Sequence, residues 1–169
     1  MDIKSSARKL YNNTFGVSDG FDDRLFDLFS DCIRYITEGD KVVSMLFEIP
    51  CTLVTEDEQK DACYIYAAAT HPDHRGKGYA TALVNETCAR HPLVILRPAE
   101  ESLVNFYGKL GFKVHTAIDR KDAVTPYIAG GNDLLELCKE EIPTGEEFCL
   151  MFKGALDQKD IIGFAYSMP

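Results

Sequence analysis

The sequence predicts an α/β fold in which helices flank a β-sheet, and three observations support this prediction. Residues 63–70 form an apolar run of strand length that is too short to span a membrane. A glycine-rich loop follows at residues 75–80, and apolar residues then recur at helical spacing. Residues 93–97 form a second compact apolar run, which is typical of a buried strand parallel to its neighbour.

Length and composition indicate a soluble protein. With 169 residues, a single domain over residues 1–169 is expected. The net charge of −9 argues against a nucleic-acid partner, because such partners bind basic surfaces, and it slightly favours a cationic acceptor. Six cysteines without a CxxC pair, and an N-terminus without an apolar secretory segment, indicate reduced thiols, a cytoplasmic location and no membrane partner.

Helical spacing predicts two helices at the N-terminus. The first covers residues 2–15 and can end at Gly16. The second begins at Phe21, and its amphipathic pattern continues to Ile36.

Two strands and a charged connection are predicted to precede the central strand. The first strand covers residues 41–50, with Pro50 at its end or at a bulge because proline cannot donate to a sheet. A new strand begins at Cys51. Residues 56–61 form a charged hairpin connection, which is either a solvated loop or a segment that attracts a cationic acceptor.

The C-terminal part is predicted to add a helix and further strands. The helix opens at residues 98–102 and ends with Gly111 just beyond it, and residues 112–118 form the next strand. Residues 119–145 are a variable insertion that includes a short helix at 134–141. Residues 148–153 form a closing strand, and the tail 154–169 contains the apolar run IIGFAY. This tail packs back on the domain or meets a partner chain, so a homodimer is possible.

The loop RGKGYA at residues 75–80 has the chemistry of an anion site. Glycines let backbone amides approach a ligand closely, and free N–H groups at the start of a helix attract anions. Arg75 and Lys77 add positive charge. The loop therefore favours a phosphate or diphosphate ligand.

A second motif, FYGKLGF at residues 106–112, indicates which ligand. Together, RGKGYA and FYGKLGF resemble the GNAT superfamily of N-acetyltransferases, which bind acetyl-coenzyme A and acylate an amine. Arg75, Gly78 and Ala80 occupy the fixed positions of the family's Arg/Gln-x-x-Gly-x-Gly/Ala pattern. The resemblance extends over residues 41–112. It implies a mixed, mainly antiparallel sheet flanked by helices, whose two parallel central strands splay around the cofactor.

The resemblance also implies roles for individual residues. The loop amides bind the diphosphate of coenzyme A, the pantetheine arm lies along the end of the central strand, and Tyr107 protonates the departing thiolate. The implied cofactor-binding residues are Ala68, Ala69, Thr70, Arg75, Gly76, Lys77, Gly78, Tyr79, Ala80 and Thr81.

Two positions depart from the family pattern. Glu100 stands where many members carry asparagine, so Asn105 or Lys109 would have to supply that coenzyme contact. Tyr64 stands where some relatives carry a glutamate base. Glu48 or solvent could act instead, although Glu48 near a strand end is more often a solvated side chain, and no base is assigned.

The sequence therefore predicts transfer of an acetyl group from acetyl-coenzyme A to a primary amine of a small molecule or peptide, without a metal. The alternative is an inactive coenzyme A-binding sensor or interaction module. The two histidines of the turn HPDH, residues 71–74, lack the further ligands that a zinc site needs. The acceptor amine does not follow from the sequence.

Overall fold

The computed structural model describes residues 2–17, 20–55, 59–118, 147–156 and 161–166. The helix predicted at 134–141 lies outside these residues, as do the insertion 119–145 and part of the charged connection at 56–61. The helices are α1 (Ile3–Phe15), α2 (Phe21–Leu28), α3 (Tyr79–Arg90) and α4 (Glu101–Lys109). The strands are β1 (Ile33–Glu38), β2 (Lys41–Thr55), β3 (Gln59–Thr70), β4 (Leu93–Leu96), β5 (Lys113–Ile118), β6 (Glu147–Gly154) and β7 (Ile161–Tyr166).

The strands form a mixed sheet in the order β1-β2-β3-β4-β6-β5, with β7 paired to β2. The pairings β1–β2, β2–β7, β4–β6 and β5–β6 are antiparallel. The pairing of β3 with β4 is parallel and comprises Cys63 with Val94 and Tyr64 with Ile95. The predicted mixed, mainly antiparallel sheet flanked by helices is confirmed.

The chain divides into two compact units, and β2 and β3 each contribute residues to both. The first unit comprises Met1–Glu48 and Ile65–Thr87. Its core contains a cluster of aromatic rings in which Phe26 lies 5.6 Å from Tyr11 and 5.3 Å from Phe47, measured between centroids. These edge-to-face contacts add to the stabilisation from burial.

A buried hydrogen bond fixes α1 against β2 in the first unit. The hydroxyl of Ser6 accepts a hydrogen bond from the backbone N–H of Val42 at 2.8 Å. The helix ends at Gly16, as predicted, where φ is 87°. This left-handed conformation is one that glycine adopts without strain.

The second unit comprises Ile49–Tyr64 and Cys88–Pro169. All four residues of β4 are buried, and β4 pairs with β6 through Leu93–Leu96. The predicted strand at 148–153 is confirmed as β6. The apolar run IIGFAY forms β7 and pairs with Cys51–Thr55, so the tail packs back on the chain as one of the two expected alternatives. A homodimer remains a prediction.

The second predicted helix is wrong beyond Leu28. The chain instead makes a short 3-10 turn at Ser30–Cys32 and enters β1 at Ile33. Ile33 and Ile36 lie three residues apart, which fits a helix, but β1 pairs with β2 along six residues. The β-branched and aromatic residues of this stretch favour a paired strand, and the long-range pairing overrides the helical period.

The predicted break between two strands at Pro50 is also wrong, because β2 runs through it as one strand of 15 residues. Pairing of β2 with β1 reaches Phe47, and pairing with β7 starts at Cys51. Pro50 lies between these paired stretches, so its missing N–H removes no hydrogen bond to either strand. Among the described residues, no helix is long and apolar enough to cross a membrane.

Candidate functional site

The end of β3 in the first unit presents mostly small side chains. Ala67 has a φ of 50°, an uncommon left-handed conformation for a residue other than glycine. Ala68 is half-buried and Ala69 is buried. The hydroxyls of Thr70 and Ser44 are hydrogen-bonded at 2.9 Å, and Ser44 also donates to the carbonyl of Ala69 at 3.3 Å. The strand end is therefore fixed from β2.

A tight turn joins β3 to the glycine-rich loop. The backbone N–H of His71 donates to the carbonyl of Val43 at 2.8 Å, and His74 N–H donates back to His71 at 2.9 Å. Gly76 and Gly78 follow with φ values of 76° and 83°. These left-handed positions explain why the loop carries glycine, since other residues reach them only with strain.

The amides of Gly76–Thr81 have no acceptor within the described part of the chain. The first helical hydrogen bond of α3 runs from the N–H of Ala82 to the carbonyl of Gly78 at 2.9 Å. The amides before it belong to the exposed loop and to the first turn of the helix, whose N–H groups lack intrahelical partners. Free N–H groups at a helix N-terminus form an anion site.

Both cations of the loop contact the protein's own oxygen atoms. The Nε of Arg75 donates to the carbonyl of Thr70 at 3.2 Å. The ammonium of Lys77 lies 3.2 Å from Oε1 of Glu38 at the end of β1. The positive charge expected from the sequence is therefore present, but the charge of Lys77 is partly neutralised by Glu38. The free amides are the stronger candidates for binding an anion.

Glu38 gathers three residues of this loop region around one carboxylate oxygen. Its Oε1 accepts from Lys77 and from the hydroxyl of Tyr79, and it lies 3.0 Å from Nδ1 of His74. The hydrogen bonds from Tyr79, Lys77 and His74 lower the pKa of Glu38 from 4.5 to about 2. The same contact raises the pKa of Tyr79. Glu38 is therefore ionised at neutral pH.

Glu48 is a second carboxylate that sequence reasoning placed wrongly. It is 4% exposed and therefore buried, rather than solvated near a strand end. The Nε of Arg34 donates to one carboxylate oxygen at 2.8 Å, and the hydroxyl of Thr87 donates to the other at 2.7 Å. Because both oxygens accept these hydrogen bonds, Glu48 is well suited to hold β1, β2 and α3 together.

Replacing Arg34 with methionine should lower the free energy of unfolding by about 2–3 kcal/mol, because it leaves the carboxylate of Glu48 buried without its cation. Urea denaturation measures this loss. Lys4→Met is the matched control: it breaks an ion pair with Asp27 whose side chains are 45% and 75% exposed, so a loss below about 0.5 kcal/mol is expected. Equal losses in both variants would contradict the structural role of Glu48.

Tyr107 lies in α4 of the second unit and is 6% exposed. Its ring packs against Phe106 and Phe112, with centroids 5.0 Å and 5.7 Å away. Burial raises the pKa of Tyr107 above its ordinary value of 10. The phenol is therefore protonated at neutral pH and can donate.

The two residues considered as substitutes for the family asparagine line one open depression of the second unit. Asn105 and Lys109 border it together with Val104, Gly108, Phe112, Val114 and Met151, and its volume is about 580 Å³. Glu100 itself is exposed just before α4 and accepts a hydrogen bond from Ser102. Asn105 and Lys109 are thus exposed to solvent on one face of α4.

The comparison with protein families decides the classification. A family model described as an acetyltransferase (GNAT) domain matches residues 5–115. The chain belongs to the GNAT acetyltransferase family. The match includes the loop of the first unit and Tyr107 of the second. No curated protein matches the chain significantly.

Solved structures of GNAT proteins share the fold. The Bacillus subtilis N-acetyltransferase YlbP, solved with coenzyme A, has a TM-score of 0.54 and 14% identity, and the alignment covers 95% of this chain and 94% of that one. The ribosomal-protein-S18-alanine N-acetyltransferase of Escherichia coli has a TM-score of 0.52 and 17% identity, covering 92% and 90%.

Other GNAT structures are much longer than this chain. A GCN5-related N-acetyltransferase from Kribbella flavida has a TM-score of 0.56 and 16% identity, covering 67% of this chain and 32% of that one. In this structure and in that of a probable N-acyltransferase from Enterococcus faecalis, the chain spans about a third of the neighbour's length. At these identities the likeness establishes the fold of this GNAT chain.

Sequence reasoning missed Glu38 as a residue of the loop region. Nothing in the local sequence pattern reveals that Glu38 contacts Tyr79, 41 positions away. The approach of β1 to the loop depends on how the strands pair. In this GNAT chain, the charge balance of the glycine-rich loop therefore depends on the folded structure.

Proposed function

We propose that this chain transfers an acetyl group from acetyl-coenzyme A directly to a primary amine of a small molecule or peptide. Membership of the GNAT family supports acyl transfer in general. The proposal adds the donor, the class of acceptor and the residues that act.

The observation that carries the proposal is the row of amides from Gly76 to Thr81 without acceptors among the described residues. Six N–H groups at a helix start fit the diphosphate of coenzyme A, because they supply donors and a favourable dipole at once. Ala68 to Thr70 add a strand end with short side chains, along which an extended arm could pair.

The chemistry needs an activated acyl group, a neutral amine and a proton for the leaving sulfur. Acetyl-coenzyme A supplies the acetyl group as a thioester. Tyr107 donates its phenolic proton to the departing sulfur, and its raised pKa keeps that proton available at neutral pH. The proton of the amine leaves to solvent in this proposal, since Glu48 is buried and bound to Arg34 and Thr87.

A thiol-release assay tests the proposal. Purified protein is incubated with acetyl-coenzyme A and, in separate reactions, polyamines, aminoglycosides, amino acids and peptides with free N-termini. Release of coenzyme A above the level without acceptor, together with a product heavier than the amine by one acetyl group in mass spectrometry, is the expected result. If coenzyme A binds and none of these amines is acetylated, the chain is better explained as a binding module without catalysis.

A further inference from the structure

The glycine-rich loop is held in place by side chains rather than by its own backbone. Among the described residues, the loop donates one backbone hydrogen bond, from Arg75 N–H to the carbonyl of Pro72 at 3.2 Å, and accepts one at its helix end, from Ala82 N–H to the carbonyl of Gly78 at 2.9 Å. Gly76 and Gly78 add conformational freedom. A loop of this composition, with its amides uncommitted, would not be ordered by its backbone alone.

Two side-chain anchors lie on either side of these amides. On the strand side, Arg75 donates to the carbonyl of Thr70. On the helix side, Lys77 and Tyr79 both donate to Oε1 of Glu38, and His74 contacts the same atom. Neither anchor uses a backbone N–H group of the loop, so these groups stay available for a ligand.

We infer that Glu38 is a positioning residue for the coenzyme loop: its carboxylate holds Lys77 and Tyr79 so that the intervening amides are ordered before the ligand binds. This inference rests on the proposed function. Binding to a pre-ordered loop avoids the entropy cost of fixing it, so Glu38 should increase the affinity for coenzyme A although its charge is of the same sign as the ligand's.

Electrostatics alone predicts the opposite result. Glu38 is an exposed carboxylate beside the site proposed for a diphosphate, and it engages the ammonium of Lys77. If charge dominated, removing Glu38 would release Lys77 and tighten binding. At an exposed position such charge effects are strongly screened by solvent and salt, whereas the cost of ordering a glycine-rich loop is not.

Three variants distinguish the two explanations. Glu38→Ala removes the acceptor and the charge, and Glu38→Gln removes the charge but keeps an oxygen that accepts from Lys77 and Tyr79. Asp40→Ala is the matched control, since Asp40 is an exposed carboxylate in the same turn without a side-chain partner among the described residues. Calorimetric titration with coenzyme A gives each dissociation constant, and the ¹⁵N heteronuclear NOE at Gly76 and Gly78 reports loop order without ligand.

Positioning predicts that Glu38→Ala raises the dissociation constant for coenzyme A about fivefold to tenfold and lowers the NOE at both glycines. Glu38→Gln and Asp40→Ala should stay within about twofold of the parent protein. An unchanged or tighter dissociation constant in Glu38→Ala, or equal weakening in Glu38→Ala and Glu38→Gln, would overturn the inference. If the parent protein does not bind coenzyme A, the proposed function fails, and the NOE still decides whether Glu38 orders the loop.

Discussion

The variant Tyr107→Phe should lower kcat for acetyl transfer about 100-fold while leaving the KM for acetyl-coenzyme A nearly unchanged. A positioned general acid contributes roughly 10²–10⁴-fold to rate, and phenylalanine removes the donated proton while keeping the ring. The ring packs between Phe106 and Phe112, so the fold should tolerate the change. Steady-state kinetics with the best acceptor from the amine screen gives both constants.

The pH dependence of this variant provides a further check. Because burial raises the pKa of Tyr107 above 10, its neutral, donating form persists from pH 7 to pH 9. The ratio of parent to variant kcat should therefore be constant across this range. Tyr35→Phe, at a 44% exposed tyrosine of β1, is the control and should keep parental kcat. Full turnover in Tyr107→Phe would remove Tyr107 from the mechanism.

Replacing Gly78 with valine should weaken coenzyme A binding about 100-fold. A β-branched residue is strongly disfavoured at the φ of 83° found here, so the loop must change conformation and turn amides away from the ligand. Losing one N–H donor to a charged group accounts for an effect of this size, since such a hydrogen bond contributes about 1.5–3 kcal/mol and a 100-fold change is about 2.7 kcal/mol. Calorimetric titration with coenzyme A measures the change.

Gly16 offers a matched control for this substitution. It has a φ of 87°, and a Cβ at either glycine would meet no atom within 4 Å. Gly16→Val and Gly78→Val should therefore lose comparable stability, about 1–2 kcal/mol each, from backbone strain alone. Coenzyme A binding should fall in Gly78→Val only. An equal fall in both variants would indicate a general loss of folded protein and not a defect of the loop.

The sequence alone correctly predicted the features that depend on residues close together in the chain. The run at 63–70, the glycine loop and the turn at Gly111 follow from local chemistry, and each appears as predicted. The end of α2 did not follow, because Ile33 and Ile36 satisfy a helical period while the pairing of β1 with β2 selects a strand. The strand break predicted at Pro50 was wrong for a similar reason. Whether proline interrupts a strand depends on which residues of other strands pair on either side of it.

The candidate site divides in the same way. The sequence reveals the glycine loop and the start of the helix, because the local backbone conformation alone explains why glycine is needed there. The environments of Glu38 and Glu48 could not be, since their partners lie between 14 and 41 positions away. A carboxylate in a strand gives no local signal of whether a cation from another element will reach it. The roles of these two carboxylates could therefore be assigned only from the tertiary structure.

The central claim is that the uncommitted amides at the start of α3 bind the diphosphate of coenzyme A. The most direct measurement is a titration of ¹⁵N-labelled protein with coenzyme A, followed through the backbone amide resonances. Large shifts should occur for Gly76–Thr81, whose N–H groups have no acceptor within the described residues. Absence of binding at millimolar coenzyme A, or binding that leaves these six resonances unmoved, would contradict the claim.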